Sequence, residues 1–168
     1  SDFEDFEWKN QAEFKRHLRD LFVGRDELKK TLLEIFTWAE DLKERREQRS
    51  SIPMTPMHTV FVGNPGTGKT TVAKIVGKMF KQFGLVQKGH VVEAQRGDLV
   101  GQNTKETAQN VEKQMQQAKG GILFVDEAYR LRDSKDAVEE IMLRLNATND
   151  FILILAGYPQ EKIGRAHV

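Results

Sequence analysis

Gly63-Asn64-Pro65-Gly66-Thr67-Gly68-Lys69-Thr70 decides how the rest of the chain is read. A short apolar run, Val60-Phe61-Val62, precedes it, and an amphipathic stretch reaching Phe83 follows. Strand, glycine-rich turn and helix, in that order, build a phosphate-binding loop. Gly63, Gly66 and Gly68 let the backbone turn tightly and aim its N–H groups at phosphate oxygens. The positive end of the following helix adds to the same pocket. In the spacing GxxxxGK[ST], Lys69 reaches the β- and γ-phosphates and the Thr70 hydroxyl joins the shell of a Mg²⁺ ion.

Outward from this loop, helical and strand patterns alternate. Asn10-Gln-Ala-Glu13 has the form of a capping box, with Phe14, Leu18, Leu21 and Phe22 on one helical face and Gly24 as the stop. Leu28, Leu32, Ile35, Phe36, Ala39 and Leu42 predict a second helix, running to about Arg49. Its charged run Lys43-Glu44-Arg45-Arg46-Glu47 reads as a solvated face rather than an interaction surface. Residues 50–57, with Pro53 and Pro56, predict a loop. Beyond the phosphate loop, Val72, Ile75, Val76, Met79, Phe80 and Phe83 make a core-facing helix ended by Gly84. Residues 90–94 predict a short strand. Asn103-Thr-Lys-Glu106 is a second capping box, opening a helix with Ala108, Val111, Met115 and Ala118 inward and Gly120-Gly121 at its end. Ile122-Leu-Phe-Val125 and Phe151-Ile-Leu-Ile-Leu155 are apolar throughout, as strands buried on both faces are. Val138, Ile141, Met142 and Leu145 mark a further helix face. Such alternation predicts an α/β fold with a parallel sheet covered on both faces, binding its ligand at the strands' carboxyl ends.

Composition narrows the function. Lys+Arg 26 against Asp+Glu 25 leaves a net charge of +1 over 168 residues, so bulk electrostatics gives no support for a nucleic-acid or anionic-membrane surface. Without cysteine there are no disulfides, zinc–cysteine sites or thiol catalysis. The four histidines show no metal-ligand spacing. No apolar run approaches the ~20 residues that span a bilayer, and the acidic start Ser-Asp-Phe-Glu-Asp-Phe-Glu is unlike a signal or transit peptide. The expectation is an intracellular, cytoplasmic protein, although a start without methionine is compatible with an upstream organelle-targeting segment.

The second half of the chemistry is Asp126-Glu127, two carboxylates directly after the strand at 122–125. Asp126 is placed to hold Mg²⁺ opposite Thr70. Glu127, one step beyond, can polarise a water for in-line attack on the γ-phosphate, a base that a nucleotide switch or a small-molecule kinase does not need. Glu127, Asp126 and Lys69 are thus the candidate catalytic residues, and ATP hydrolysis is the expected reaction.

Five stretches together carry a resemblance: Gly-Asn-Pro-Gly-Thr-Gly-Lys-Thr-Thr (63–71), Lys-Gly-His (88–90), Asp-Leu-Val-Gly-Gln (98–102), Gly-Gly-Ile-Leu-Phe-Val-Asp-Glu-Ala-Tyr (120–129) and Ile-Leu-Ala-Gly-Tyr (154–158). Over about residues 21–159 the chain resembles the AAA+ ATPases of the CbbX and stage V sporulation protein K group. The resemblance implies a P-loop NTPase αβα three-layer sandwich with strand order 5-1-4-3-2, the AAA+ large subdomain, followed by a small helical lid. It also implies a homo- or hetero-oligomeric ring with ATP bound between subunits and force applied to a protein client. Nucleotide contacts are carried over to Asn64, Pro65, Gly66, Thr67, Gly68, Lys69, Thr70 and Thr71. They extend to Val23 and Gly24 beside the adenine and to Tyr158 at the sensor position. Val23-Gly24 reads equally as a core valine before a helix-ending glycine, and Tyr158 as a cap on its strand.

One departure bears on mechanism. Where many relatives carry Gln-Tyr-Ile-Gly-His-Thr-Ala in the first pore loop, this chain has Gln102-Asn103-Thr104-Lys-Glu-Thr-Ala108. A polar pair offers little of the apolar area that gripping a peptide needs. In this respect the chain looks more like the tandem CbbX-like domains of large eukaryotic proteins. Two functions follow: an ATPase module that remodels a protein partner, or a nucleotide-dependent scaffold domain without threading. Nucleic-acid remodelling lacks the aromatic–basic interleave it would need. The expected organisation is an N-terminal helical segment (1–24), then a nucleotide-binding subdomain (25–162) C-terminally truncated before strand 5, lid and arginine finger. The last residues, 163–168, match one reading frame of a sequencing adapter and are read as a non-native tail, so Arg165 is not taken as the finger.

Overall fold

The computed structural model describes residues 7–48, 69–148 and 150–157. The expected strand at 60–62, the loop at 50–57, residues 63–68, Tyr158 and the tail lie outside the described residues. The chain begins with α1 (Gln11–Leu21) and α2 (Asp26–Gln48). Asn10 caps α1, its Oδ1 accepting from the Glu13 N–H at 2.9 Å. The helix stops at Leu21 because Phe22 turns extended to bury its ring, so Gly24 (φ +68°) shapes the link to α2 rather than ending α1. Next comes α3 (Lys69–Gln82). It closes with Gly84 in the left-handed region (φ +73°), the Leu85 N–H reaching Phe80 O and the Gly84 N–H reaching Lys81 O.

Three parallel strands follow: β1 (Val91–Ala94), β2 (Ile122–Val125) and β3 (Ile152–Leu155), side by side in the order β1-β2-β3. Between them run α4 (Arg96–Leu99), α5 (Thr104–Gln117), a 3₁₀ turn (Ala128–Leu131) and α6 (Lys135–Ala147). Numbered from the expected strand at 60–62, these neighbours are strands 2, 3 and 4, the run 4-3-2 of the anticipated order.

Successive residues of a strand face opposite sides, so the uniformly apolar strands need two cores. Ile122, Phe124, Ile152 and Ile154 join Trp8, Phe14, Phe36, Ile75, Phe80 and their neighbours from α1, α2 and α3. Leu123, Val125 and Leu153 join Leu99, Val111, Met115, Ile141 and Leu145 from α4, α5 and α6. The result is an α/β three-layer sandwich. No helix among the described residues is long and apolar enough to cross a membrane.

Two expected helix faces are rotated. In α5 the buried residue of the first turns is Thr107, not Ala108, because its hydroxyl accepts from the Gly101 N–H at 2.9 Å. In α6 the inward stripe is Ala137, Ile141 and Leu145, while Val138 and Met142 are about two-fifths exposed. Ala137, Ile141 and Leu145 pack into the core with Val111, Met115 and Leu153, which leaves 138 and 142 outward, and Arg144 reaches Glu112 of α5 (3.6 Å) and Glu140 (2.6 Å).

Candidate functional site

The connection from α3 into a parallel strand fixes where the site lies. Helix α3 lays Gly77 against Gly89, just before β1, and against Ile122, the first residue of β2. The approach is so close that a Cβ on Gly89 would stand 2.6 Å from Gly77 O. The last turns of α3 therefore sit at the strands' amino ends, and its first turn points to the carboxyl ends. Lys69, eight residues before Gly77 in sequence, is about 12 Å nearer that end at 1.5 Å per residue. Thr70 and Thr71 follow it in the first turn, Thr70 exposed and Thr71 half-buried. Asn64, Pro65, Gly66, Thr67 and Gly68 lie outside the described residues, as does Tyr158.

Asp126 and Glu127 occupy the carboxyl tip of β2, both half-buried. The Asp126 N–H continues the sheet ladder to Ala94 O (2.9 Å), and its Oδ1 accepts from the Glu127 N–H (2.9 Å). Glu127 adopts φ 51°, ψ 45°, a left-handed backbone that a non-glycine residue takes at a cost of about 1–3 kcal/mol. Bonds on both sides hold it there: Ala128 N–H to Ala156 O and Arg130 N–H to Glu127 O, each 2.9 Å. Its Oε2 pairs with Arg130 Nη1 at 3.2 Å. The Tyr129 hydroxyl and, second, the Glu127 carboxylate push the Arg130 pKa further up from its ordinary value.

A Thr hydroxyl and an Asp carboxylate are hard oxygen donors of the kind Mg²⁺ takes together with water and phosphate. Among the described residues no group of three or more His, Cys, Asp or Glu could close a metal cage.

Val23 is 95% exposed, which removes the core-valine reading of that position. Gln102, Asn103 and Thr104 stand at the mouth of α5, all exposed. Asn103 caps the helix, its Oδ1 accepting from the Glu106 N–H at 2.8 Å, and Glu106 Oε2 accepts from the Gln102 N–H at 3.3 Å. Thr104 Oγ1 donates to Asp136 Oδ2 in α6 at 2.8 Å. Sequence reasoning missed the partners of this end of the sheet. Arg130, three residues after Glu127, was findable from the i,i+3 rule for a helical turn. Arg96, whose Nη1 donates to Arg130 O (2.8 Å) and Asp133 Oδ1 (2.7 Å), spans more than thirty positions and left no local signal.

The profile of the ATPase family associated with various cellular activities (AAA) matches residues 59–168. Stage V sporulation protein K of Bacillus subtilis is 41% identical over 146 residues, covering 83% of this chain and 45% of the relative. CbbX of Cereibacter sphaeroides is 38% identical over 164 residues, 92% of this chain and 52% of that protein. The chain thus spans about half the length of the curated relatives it matches. A solved structure described as the structural basis for katanin self-assembly aligns with a TM-score of 0.51 at 19% identity, covering 94% of this chain and 55% of its own, a likeness of fold.

Proposed function

The chain belongs to the ATPase family associated with various cellular activities, and from that premise we propose that it binds ATP, hydrolyses it to ADP and phosphate, and couples turnover to the remodelling of a protein partner. The observation that carries this reading is the pair Asp126 and Glu127 at the end of the sheet toward which α3 opens. Lys69 and the amides of residues 64–69 hold the phosphates, with Thr70 and Thr71 closing the first turn beside them. Thr70 and Asp126 hold Mg²⁺, which when bound neutralises charge on the β- and γ-phosphates. Glu127 takes the proton of the attacking water as the γ-phosphate leaves ADP. Val23 offers an open apolar side chain beside Gly24 for the base, and Tyr158 a phenol for water or phosphate.

Residues 25–162 are the nucleotide-binding unit in this reading, with residues 1–24 an N-terminal helical segment or linker. The whole protein acts inside the cell as a homo- or hetero-oligomeric ring on a protein client. Calorimetry of Mg²⁺-dependent ATP binding to the full-length protein tests the pocket, and absence of binding would overturn it.

A second reading, a nucleotide-dependent scaffold without threading, is favoured by the loop at 102–104. Asn103 and Thr104 spend their polar atoms on Glu106 and Asp136. The double substitution Asn103→Tyr with Thr104→Ile supplies gripping area at the expense of the cap. Client unfolding seen only in that variant supports the scaffold; unfolding by the unaltered protein rejects it.

A further inference from the structure

We propose that the outer groove between α1 and α2 is a docking surface for an acidic segment of a partner protein, one whose carboxylates alternate with apolar side chains. On α1, Lys15, Leu18 and Arg19 recur at helical spacing and so share one face. Asp26, Lys29, Lys30 and Leu33 do the same on α2, and the two rows together line a groove of about 350 Å³. That is room enough for the side chains of a short peptide. Leu18 is buried and Leu33 half-buried, whereas Lys15, Arg19 and Lys30 are exposed. The groove therefore has an apolar base and a cationic rim.

The rim sets four cations against one carboxylate, in a chain whose net charge is +1. Elsewhere on the helices a cation is matched by an acid one turn away: Arg45 by Asp41, Lys135 by Glu139, Arg144 by Glu140. In the groove, among the described residues, Lys29 alone has an ion-pair partner, Asp26 at 3.6 Å. Lys15, Arg19 and Lys30 are unmatched. Like charges gathered around one groove repel one another, and carboxylates laid between them relieve that repulsion. The apolar base decides which polyanion fits. A free phosphate gains nothing from two leucines, and a flat anionic membrane does not enter a cleft between helices. An extended peptide sends alternate side chains to opposite sides, so its carboxylates meet the rim while its apolar residues meet Leu18 and Leu33. None of these residues belongs to the proposed nucleotide pocket, so the two readings stand or fall separately.

The test uses the full-length protein without nucleotide and a dye-labelled peptide in which glutamate alternates with leucine, read by fluorescence anisotropy. The peptide should bind. Lys15→Glu with Arg19→Glu should weaken binding about tenfold, as the reversal of two exposed charge contacts allows, while the melting point holds. Lys113→Glu with Lys135→Glu, an equal change of charge at exposed positions of α5 and α6, should leave binding as it was. Serine in place of the peptide's leucines should weaken it. No binding overturns the proposal, and so does an equal loss in both double variants, which would reduce the attraction to bulk charge. Equal affinity for the serine peptide overturns it as well, since the apolar base would then do nothing. Phosphatidylserine vesicles that bind the parent while the peptide does not would reassign the groove to a membrane. If Asp2→Asn, Glu4→Gln and Asp5→Asn together raise the peptide's affinity, this chain's own acidic start is the occupant and the assignment to a partner fails.

Discussion

Glu127 holds an unfavourable backbone for the sake of where its carboxylate departs. Replacing it by glutamine keeps the size and removes the proposed base. Glu127→Gln is therefore expected to bind ATP as the parent does while turnover falls by ~10²–10⁴-fold, read by calorimetry beside a phosphate-release assay. Asn103 tests the opposite kind of residue, one whose work is local. Asn103→Ala should cost about 1 kcal/mol of stability through the lost cap, measured by urea unfolding. At this scale the sequence was legible wherever partners are close: both Asn caps follow from a carboxamide three residues ahead of a Glu. It was silent on Arg96, whose partners come near only once β1 and β2 are paired. It left Val23 open between the core and the base, because a valine directly after a buried phenylalanine carries no sign of which way the link turns; its exposure removes the core reading alone.

Among elements, α3 is the strictest. Glycine inside a helix normally gives way to alanine with a gain of about 1 kcal/mol. At Gly77 the sign reverses, since a Cβ there meets the backbone oxygen of Gly89, which cannot swing aside. Gly77→Ala should destabilise by ~1–3 kcal/mol, the usual cost of overpacking, and denaturant midpoints would show it. The α3 stripe was readable in full, because six large residues at helical spacing admit one inward face. The α6 face was not. Val138, Ile141, Met142 and Leu145 also fit a helical stripe, and it is packing against β2, β3 and α5 that buries Ala137 instead of its neighbour. Strands at 122–125 and 152–155 were legible from length and unbroken apolarity, whereas their register comes from neighbours far away in sequence.

For the molecule as a whole, ligand and fold share one free energy. If ATP occupies the end of the sheet where α3 begins, Mg²⁺-ATP at a hundred times its Kd should add about 2.7 kcal/mol to the stability of the folded state. At roughly 2–4 °C per kcal/mol for a chain of this size, the melting point should rise by about 5–10 °C, and Lys69→Ala should abolish the rise. Overall architecture was readable because a phosphate loop and alternating buried strands leave few topologies. What tied the layers together was not, because it is made of aromatic edges and single long-range bonds. Both tryptophans of the chain lean on α3. Trp8 exchanges two backbone bonds with the Gln82 side chain (3.0 and 2.9 Å) under the ammonium of Lys78, and Trp38 sets its ring edge-on to Phe80. Helix α3 thus ends between two natural fluorophores, and if its first turn receives a nucleotide as proposed, emission from unlabelled protein should report that arrival in real time.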